Sequence, residues 1–407
     1  MQNPPRSAPF PGCPSIIPAP FVPSRRRFCT IAAALIAGVG GSHLLPPNIA
    51  AAASWDDLPV SPLVHKNGRI TFLFPSGKFQ SVVLNLGGVA PTPLARQSDG
   101  SWMVTIPPLP PEIYTYSFSV NGVMVLDPFN PWVKKNLFHS QSMLLVPGHP
   151  PSPWQNTDVP HGVVARHVYH SAVAGDNRAY YVYTPPGYHA SANHQYPTLF
   201  LLHGYSDEPG AWSKVGRVNF ILDNLIHAGK VKPMVVVMPN GYGDPAIAAR
   251  NSRALADRKL WLTNLKDFQA SLLHEVMPRV QQEYRLAPGR DNTAIAGLSM
   301  GGGEALITGL NHLKTFAWIG GFSSYVGNHG ADFSPFFPKL SAADNARIRL
   351  LWVSCGRQDP LVGKANRQLD HWLVSKNVKF RSVWTPGMHQ WRVWRNNFVH
   401  FAPLLFS

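Results

Sequence analysis

The stretch Ala294-Ile295-Ala296-Gly297-Leu298-Ser299-Met300-Gly301-Gly302-Gly303-Glu304-Ala305-Leu306 constrains the fold of this 407-residue chain more than any other. An apolar run fit for a buried strand leads into G-x-S-x-G, and Ala305, Leu306 and Leu310 then give the following segment one apolar face at helical spacing. A strand that turns this sharply into a helix holds a serine hydroxyl clear of the sheet. Glycines are needed there because side chains would collide across the turn. The stretch reads as a nucleophile elbow with Ser299 as the candidate nucleophile.

The chain around it divides by composition. Residues 1–53 contain Ser24-Arg25-Arg26-Arg27-Phe28, the apolar Ile31 to Val39, and Ala50 to Ala53. This resembles a twin-arginine export signal, so the product is expected to be periplasmic or extracellular. The apolar run is roughly half of the ~20 residues that span a bilayer, and no stable membrane insertion is expected after processing. Cys13 and Cys29 lie in this segment, which leaves Cys355 without a disulfide partner. It sits at the end of the apolar run Leu350 to Val353 and is expected to be packed, not reactive.

Residues 54–146 read as all-β. The runs Arg69 to Phe74, Ser81 to Leu86, Trp102 to Ile106, Tyr114 to Val120 and Val123 to Leu126 are separated by Ser76-Gly77, Asp99-Gly100 and Asn121-Gly122 turns. A small immunoglobulin-like sandwich is expected. Trp102 follows a turn and opens a strand, which places it in the core ahead of any role as a sugar platform. Residues 147–160, with five prolines between Pro147 and Pro160, read as a linker. From 161 to 407 strands and helices alternate, the pattern of an α/β domain with a largely parallel sheet. Expected strands are Ala165 to Tyr169, Arg178 to Tyr183, Thr198 to Leu202, Met234 to Met238, Phe316 to Ile319, Leu350 to Val353 and Lys379 to Trp384. Expected helices are Val218 to Ala228, Asn264 to Tyr284, Lys364 to Ser375 and Gln390 to Val399.

Charge narrows the function classes. The formal net charge is +15, or +11 without the four arginines of residues 1–53, but the basic residues are scattered and accompany no nucleic-acid motif, so acidic envelope polymers or acidic polysaccharide are the better match. His161, His167 and His170 lack metal-ligand spacing, no dinucleotide fingerprint occurs, and no metal or cofactor is expected.

A serine hydroxyl needs a base to take its proton, and an elbow serine takes its partners downstream in the order acid, then histidine. Of Asp332, Asp344, Asp359 and Asp370, only Asp359 follows directly on a buried strand. Of His371, His389 and His400, only His389 lies in a loop between strand and helix. Ser299, His389 and Asp359 are therefore the expected nucleophile, general base and orienting acid.

The early strands end in Asp127-Pro128-Phe129-Asn130-Pro131, and in their order resemble early-set immunoglobulin-like modules related to carbohydrate-binding family 48. Strand Thr198 to Leu202 ends in His203-Gly204-Tyr205-Ser206-Asp207, which resembles the His-Gly loop of α/β-hydrolases. That likeness implies an oxyanion hole from the Tyr205 and Met300 amides. Together with Trp212-Ser213-Lys214-Val215-Gly216-Arg217, Lys232 to Gly241 and Gly387-Met388-His389-Gln390-Trp391, these motifs are similar to the esterase-D family. That family includes the feruloyl and acetyl-xylan esterases of carbohydrate esterase family 1 and the enterochelin esterases. The resemblance implies an α/β-hydrolase fold and a cofactor-free serine esterase acting on feruloyl or acetyl esters of plant polysaccharide. Tyr205 and Trp391 would touch substrate, and loops Tyr242 to Trp261 and Tyr325 to Pro338 would choose it. A siderophore esterase, an acyl transferase and a non-enzymatic carbohydrate-binding protein are the alternatives.

Overall fold

Strands Thr198–Leu202 and Thr293–Leu298 lie side by side and parallel, with Leu202 opposite Gly297, so the chain leaves both at the same edge of one sheet. The computed structural model describes residues 59–190, 193–249, 254–327 and 330–407, and in it Pro59 to Ser407 form one unit. The expected export segment, with Arg25, Arg26, Cys13 and Cys29, lies outside the described residues.

The sheet has eight strands: β1 (Val163–Ser171), β2 (Asp176–Thr184), β3 (Thr198–Leu202), β4 (Val235–Met238), β5 (Thr293–Leu298), β6 (Trp318–Phe322), β7 (Leu350–Gly356) and β8 (Arg381–Thr385). Their order is β1-β2-β4-β3-β5-β6-β7-β8. β1 pairs antiparallel with β2, β2 pairs antiparallel with β4, and every later pairing is parallel. Alternate residues of β4 serve opposite faces, as a pleated strand requires. Val235 and Val237 pack with Phe268, Leu306 and Leu369, while Val236 and Met238 pack with Trp212, Ile221 and Phe398. The longer helices covering these faces are α1 (Val218–His227), α2 (Arg258–Ser271), α3 (Met277–Glu283), α4 (Ser299–Asn311), α5 (Gly363–Ser375) and α6 (Trp391–Phe401), with a short helical turn at Ala211–Lys214.

Three elements differ from the sequence expectation. The helix expected from Asn264 to Tyr284 begins at Arg258, where the Asp257 carboxylate accepts from the Leu260 amide, and a π-helical turn at Leu272–Val276 separates α2 from α3. The strand expected at Phe316 to Ile319 is displaced to Trp318–Phe322, because pairing with β5 and β7 on both sides carries Gly320 and Gly321 into the sheet despite their low strand preference. β7 continues past Val353 to Gly356, so Cys355 lies buried within a strand. Burial, with the neighbouring Asp359 charge, pushes its thiol up to about 12.

The N-terminal sandwich joins a sheet of Leu63–Val64, Ile70–Phe74, Trp102–Ile106 and Ala95–Arg96 to a second built on Val82–Leu86, Glu112–Val120 and Gln141–Val146. Trp102 is buried in the core between them with Phe72, Leu84 and Phe118. Asp127 is a buried node of the same layer: its Oδ2 accepts from Ser61 Oγ (2.6 Å) and Tyr116 OH (2.7 Å), and its Oδ1 from the Phe129 amide (2.8 Å).

The sandwich shares a core with the α/β part. Ile113 and Met143 pack in one cluster with Trp154, Trp212, Trp391 and Trp394. The proline-rich segment 147–160 is pinned to α1, where Asn224 Nδ2 donates to the carbonyls of Pro153 (2.8 Å) and Gln155 (2.9 Å). Through the middle runs an ion pair: Arg395 on α6 is fully buried and donates to Glu112 at 2.5 Å and to the Val215 carbonyl at 2.8 Å. Among the described residues no helix is long and apolar enough to cross a membrane.

Candidate active site

Ser299 opens α4 directly from β5, with Leu298 extended and Ser299 at φ +53°. Such a left-handed backbone costs a residue with a Cβ about 1–3 kcal/mol, and it persists where the surroundings over-determine it. They do so here. A Cβ on Gly297 would strike the Gly301 carbonyl, and one on Gly301 would strike the His203 carbonyl, so contact dictates both glycines. The Tyr325 amide closes the turn by donating to the Ser299 carbonyl at 2.8 Å.

Asp359 and His389 follow the C-terminal ends of β7 and β8, at the edge of the sheet where the elbow stands. Ser299 Oγ lies 2.9 Å from His389 Nε2, and His389 Nδ1 lies 2.7 Å from Asp359 Oδ2. The second Asp359 oxygen accepts from the Leu361 and Val362 amides at 3.0 Å each. Burial works to raise the Asp359 pKa, but the His389 hydrogen bond and charge together with those two amides outweigh it and hold the carboxyl below its ordinary range. A carboxylate facing Nδ1 keeps the proton on that nitrogen, which leaves the Nε2 lone pair aimed at the serine. The His389 ring stands edge-on to Trp394 at 4.9 Å. The competing candidates are engaged elsewhere: Asp370 accepts from Ser382 and Trp384, Asp344 caps a short turn, Asp332 accepts from Ser334, and His371 and His400 are exposed.

The loop after β3 comes up against the elbow. A Cβ on Gly204 would lie 2.5 Å from Leu298 Cδ1 and 3.1 Å from Ser299 Cβ, so the Gly204-Tyr205 backbone runs beside the serine. Met300 is the second residue of α4, and its amide is one of the helix-start donors with no acceptor inside the helix.

Beneath this loop His203 is fully buried. The Gly241 amide donates to its Nε2 (3.0 Å), so the proton is on Nδ1, which donates to the Gly204 carbonyl (2.9 Å). Burial pushes its pKa down to about 4. An unfolded histidine protonates near pH 6.5, so between about 6.5 and 4 the unfolded state binds a proton that the folded state refuses. Stability is therefore expected to fall as the pH drops through that window, by about 3 kcal/mol more than in His203→Gln. Denaturant titrations of both proteins at pH 7 and pH 4 check this, and parallel losses would refute it.

Several residues that the sequence reading left without a role complete the site. Asp207 is buried where three segments meet: it accepts from Trp391 Nε1 at 3.1 Å and from Asn136 of the sandwich at 3.3 Å, and its carbonyl accepts from Tyr242 OH at 2.8 Å. Asn136 also reaches Ser206 Oγ at 2.8 Å, and the Leu137 amide donates to the Ser206 carbonyl at 2.8 Å. Phe138 of the sandwich meets the Tyr205 ring edge-on at 5.7 Å. Glu304, five residues after Ser299, is fully buried with Asn264 donating to one oxygen at 2.9 Å. Burial raises its pKa well above the ordinary glutamate value, against the lowering by the Asn264 hydrogen bond.

Of the two expected substrate contacts, Tyr205 lies at the serine and only partly buried. Trp391 is 6% exposed, packed against Trp212 and Trp394, and forms part of the wall of the cavity beside His389. In the loop Tyr325 to Pro338, Phe333, Phe336 and Phe337 are core residues, with Phe333 and Phe337 packed on Trp372. No cluster of three metal-ligating side chains occurs among the described residues.

The model of the Esterase family, described as "Putative esterase", matches residues 171–404. Endo-1,4-beta-xylanase/feruloyl esterase from Xylanibacter ruminicola is 27% identical over 357 residues, which cover 85% of this chain and 46% of that protein, so the chain spans about half the length of this relative. A CE1 ferulic acid esterase from Anaeromyces mucronatus has the same fold at a TM-score of 0.54 and 23% identity, over 63% of this chain and 96% of the other. The enterobactin esterase from Shigella flexneri, solved in the presence of enterobactin, matches at a TM-score of 0.60 and 19% identity over 83% and 92%.

Proposed function

The chain belongs to the Esterase family, and on that premise we propose that it is an exported serine esterase that hydrolyses feruloyl or acetyl esters of plant polysaccharide through an acyl-enzyme. The observation that carries the reading is the hydrogen-bonded series from Ser299 Oγ through His389 to Asp359. The His389 Nε2 lone pair takes the Ser299 proton as Oγ attacks the ester carbonyl carbon. The oxygen of the resulting tetrahedral species gains its negative charge, which the Tyr205 and Met300 amides beside the elbow would bind. His389, now cationic and stabilised by Asp359, gives its proton to the alcohol oxygen as the carbon–oxygen bond breaks. Water then repeats the sequence on the acyl-serine, releasing the acid and restoring Ser299. Support for the polysaccharide ester comes from the relative that joins a xylanase to a feruloyl esterase, and from the basic charge of the chain.

A second reading, hydrolysis of a siderophore trilactone, uses the same machinery. It is favoured by the extent of the enterobactin-esterase likeness, which takes in 83% of the chain. One panel separates the two: methyl ferulate, acetylated xylan, a trilactone siderophore and a short p-nitrophenyl ester, run beside fluorophosphonate labelling and mass mapping of the adduct. Feruloyl or acetyl turnover with the label on Ser299 is expected. Fastest turnover of the trilactone would transfer the substrate to the second reading, and no hydrolysis with no label on Ser299 would overturn both. Activity confined to the cytoplasm of a producing cell would remove the export part.

A further inference from the structure

Beside His389 lies a cavity of about 220 Å³ between the sandwich and the start of α6, lined by Tyr114, Lys134, Gln141, His389, Arg392 and Trp394 among others. We propose that this cavity is the subsite for the alcohol half of the ester and that it takes a carboxylate-bearing sugar, a uronic acid residue. The inference rests on the esterase reading of Ser299 and names the substrate class of that same site.

The side of the serine on which the alcohol sits follows from proton transfer. His389 must hand its proton to the leaving oxygen, so the alcohol lies on the histidine side of the serine. His389, the group that hands over that proton, forms part of the cavity wall, and this places the cavity next to the leaving oxygen's proton donor.

The charge pattern sets the chemistry. Lys134 and Arg392 both line the cavity, and among the described residues neither forms an ion pair with a carboxylate. Of the nearby acids, Glu112 is paired with Arg395 and Asp359 with His389, while the buried Asp207, hydrogen-bonded to Trp391 and Asn136, feels the Lys134 charge without forming an ion pair with it. With the Gln390 amide turned so that its oxygen faces the guanidinium, it accepts from Arg392 Nε (2.6 Å) and Nη2 (3.1 Å). That bond steadies the fork and leaves Nη1 for another partner.

The placement also runs against ordinary helix electrostatics. Arg392 belongs to the first turn of α6, a turn with no acidic residue and no side-chain cap. A helix start carries partial positive charge and favours acids, so a cation there with a second cation opposite costs stability. Residues that break a local rule without a structural gain mark functional places. A carboxylate in the cavity would satisfy Lys134, Arg392 and the helix start together, while Tyr114 and Trp394 supply flat apolar walls for a sugar ring.

The test compares 2-O-feruloyl esters of methyl glucoside and methyl glucuronide, which differ only at C6. The wild type is expected to favour the glucuronide about tenfold in kcat/KM, with the preference shrinking as salt is raised, as suits one or two charge-assisted contacts in a partly screened site. Lys134→Gln and Arg392→Gln are each expected to reduce the ratio to below about threefold. Arg166→Gln removes a charge from an exposed position on β1 and is expected to keep it. Equal rates for the two esters in the wild type, or an equal loss of preference in Arg166→Gln, would overturn the proposal. Calorimetry on Ser299→Ala with free methyl glucuronide and methyl glucoside keeps the subsite separate from the chemistry. Should the wild type hydrolyse neither ester, the binding result alone decides the subsite, whatever the panel shows of the esterase reading: tighter glucuronide binding upholds it and equal binding refutes it.

Discussion

Ser299→Ala is expected to lower kcat by about 10⁶-fold on whichever ester the wild type turns over fastest, with the protein still folded. The size follows from what is lost. Without Oγ there is no covalent intermediate, and His389 has no proton to take from the position 2.9 Å from its Nε2. What survives is substrate binding and the amides beside the elbow, which in serine hydrolases leave a residual of about 10³–10⁴ over water. Asp359→Asn is expected to cost less, about 10⁴-fold, since the nucleophile stays and only the tautomer and charge control of His389 are removed. Steady-state kinetics with circular dichroism on both variants provide the check. A Ser299→Ala protein that retains more than about 1% of wild-type kcat would place the nucleophile elsewhere.

Arg395→Met is expected to destabilise the protein by about 3–5 kcal/mol, the usual result of stripping one partner from a buried ion pair. Arg395 is fully buried, and its loss would leave the Glu112 carboxylate with only the Ile113 amide at 2.8 Å and Asn396 at 3.2 Å. The Val215 carbonyl would lose its donor as well. The pair itself need not be a net gain, because desolvating both charges offsets much of their attraction. The double variant Glu112→Leu with Arg395→Met is therefore expected to recover most of the loss. Urea unfolding measures all three proteins, and a single-variant loss below about 1 kcal/mol would show the pair to be solvated or dispensable.

The legibility of this molecule in its sequence depended on whether a feature is local. The elbow, the strands Thr198–Leu202 and Trp102–Ile106, and helix α1 are written in consecutive residues, and they fold within a residue or two of where periodicity puts them. Asp359 and His389 could be singled out because each follows a strand that is itself easy to read. The displaced β6 was harder: Gly320 and Gly321 look like a turn until pairing on both sides is known. Phe333, Phe336 and Phe337 lie in a loop with no periodic pattern, and their burial depends on packing such as that on Trp372, far along the chain. Asn136, Asp207, Glu112 and Arg395 carry no local signal at all. Nothing in a polar residue at a strand start or in a loop announces a partner contributed by another layer of the fold.

The ion pair between Glu112 and Arg395 joins residues 283 positions apart in the chain. A growing polypeptide exposes the apolar face of Ile113 and Met143 long before α6, which covers it, has been made. The sandwich is thus synthesised well before α6 but cannot bury that face until α6 arrives. Completion of this layer is timed by the synthesis of α6, and until then the early strands need shelter for that face.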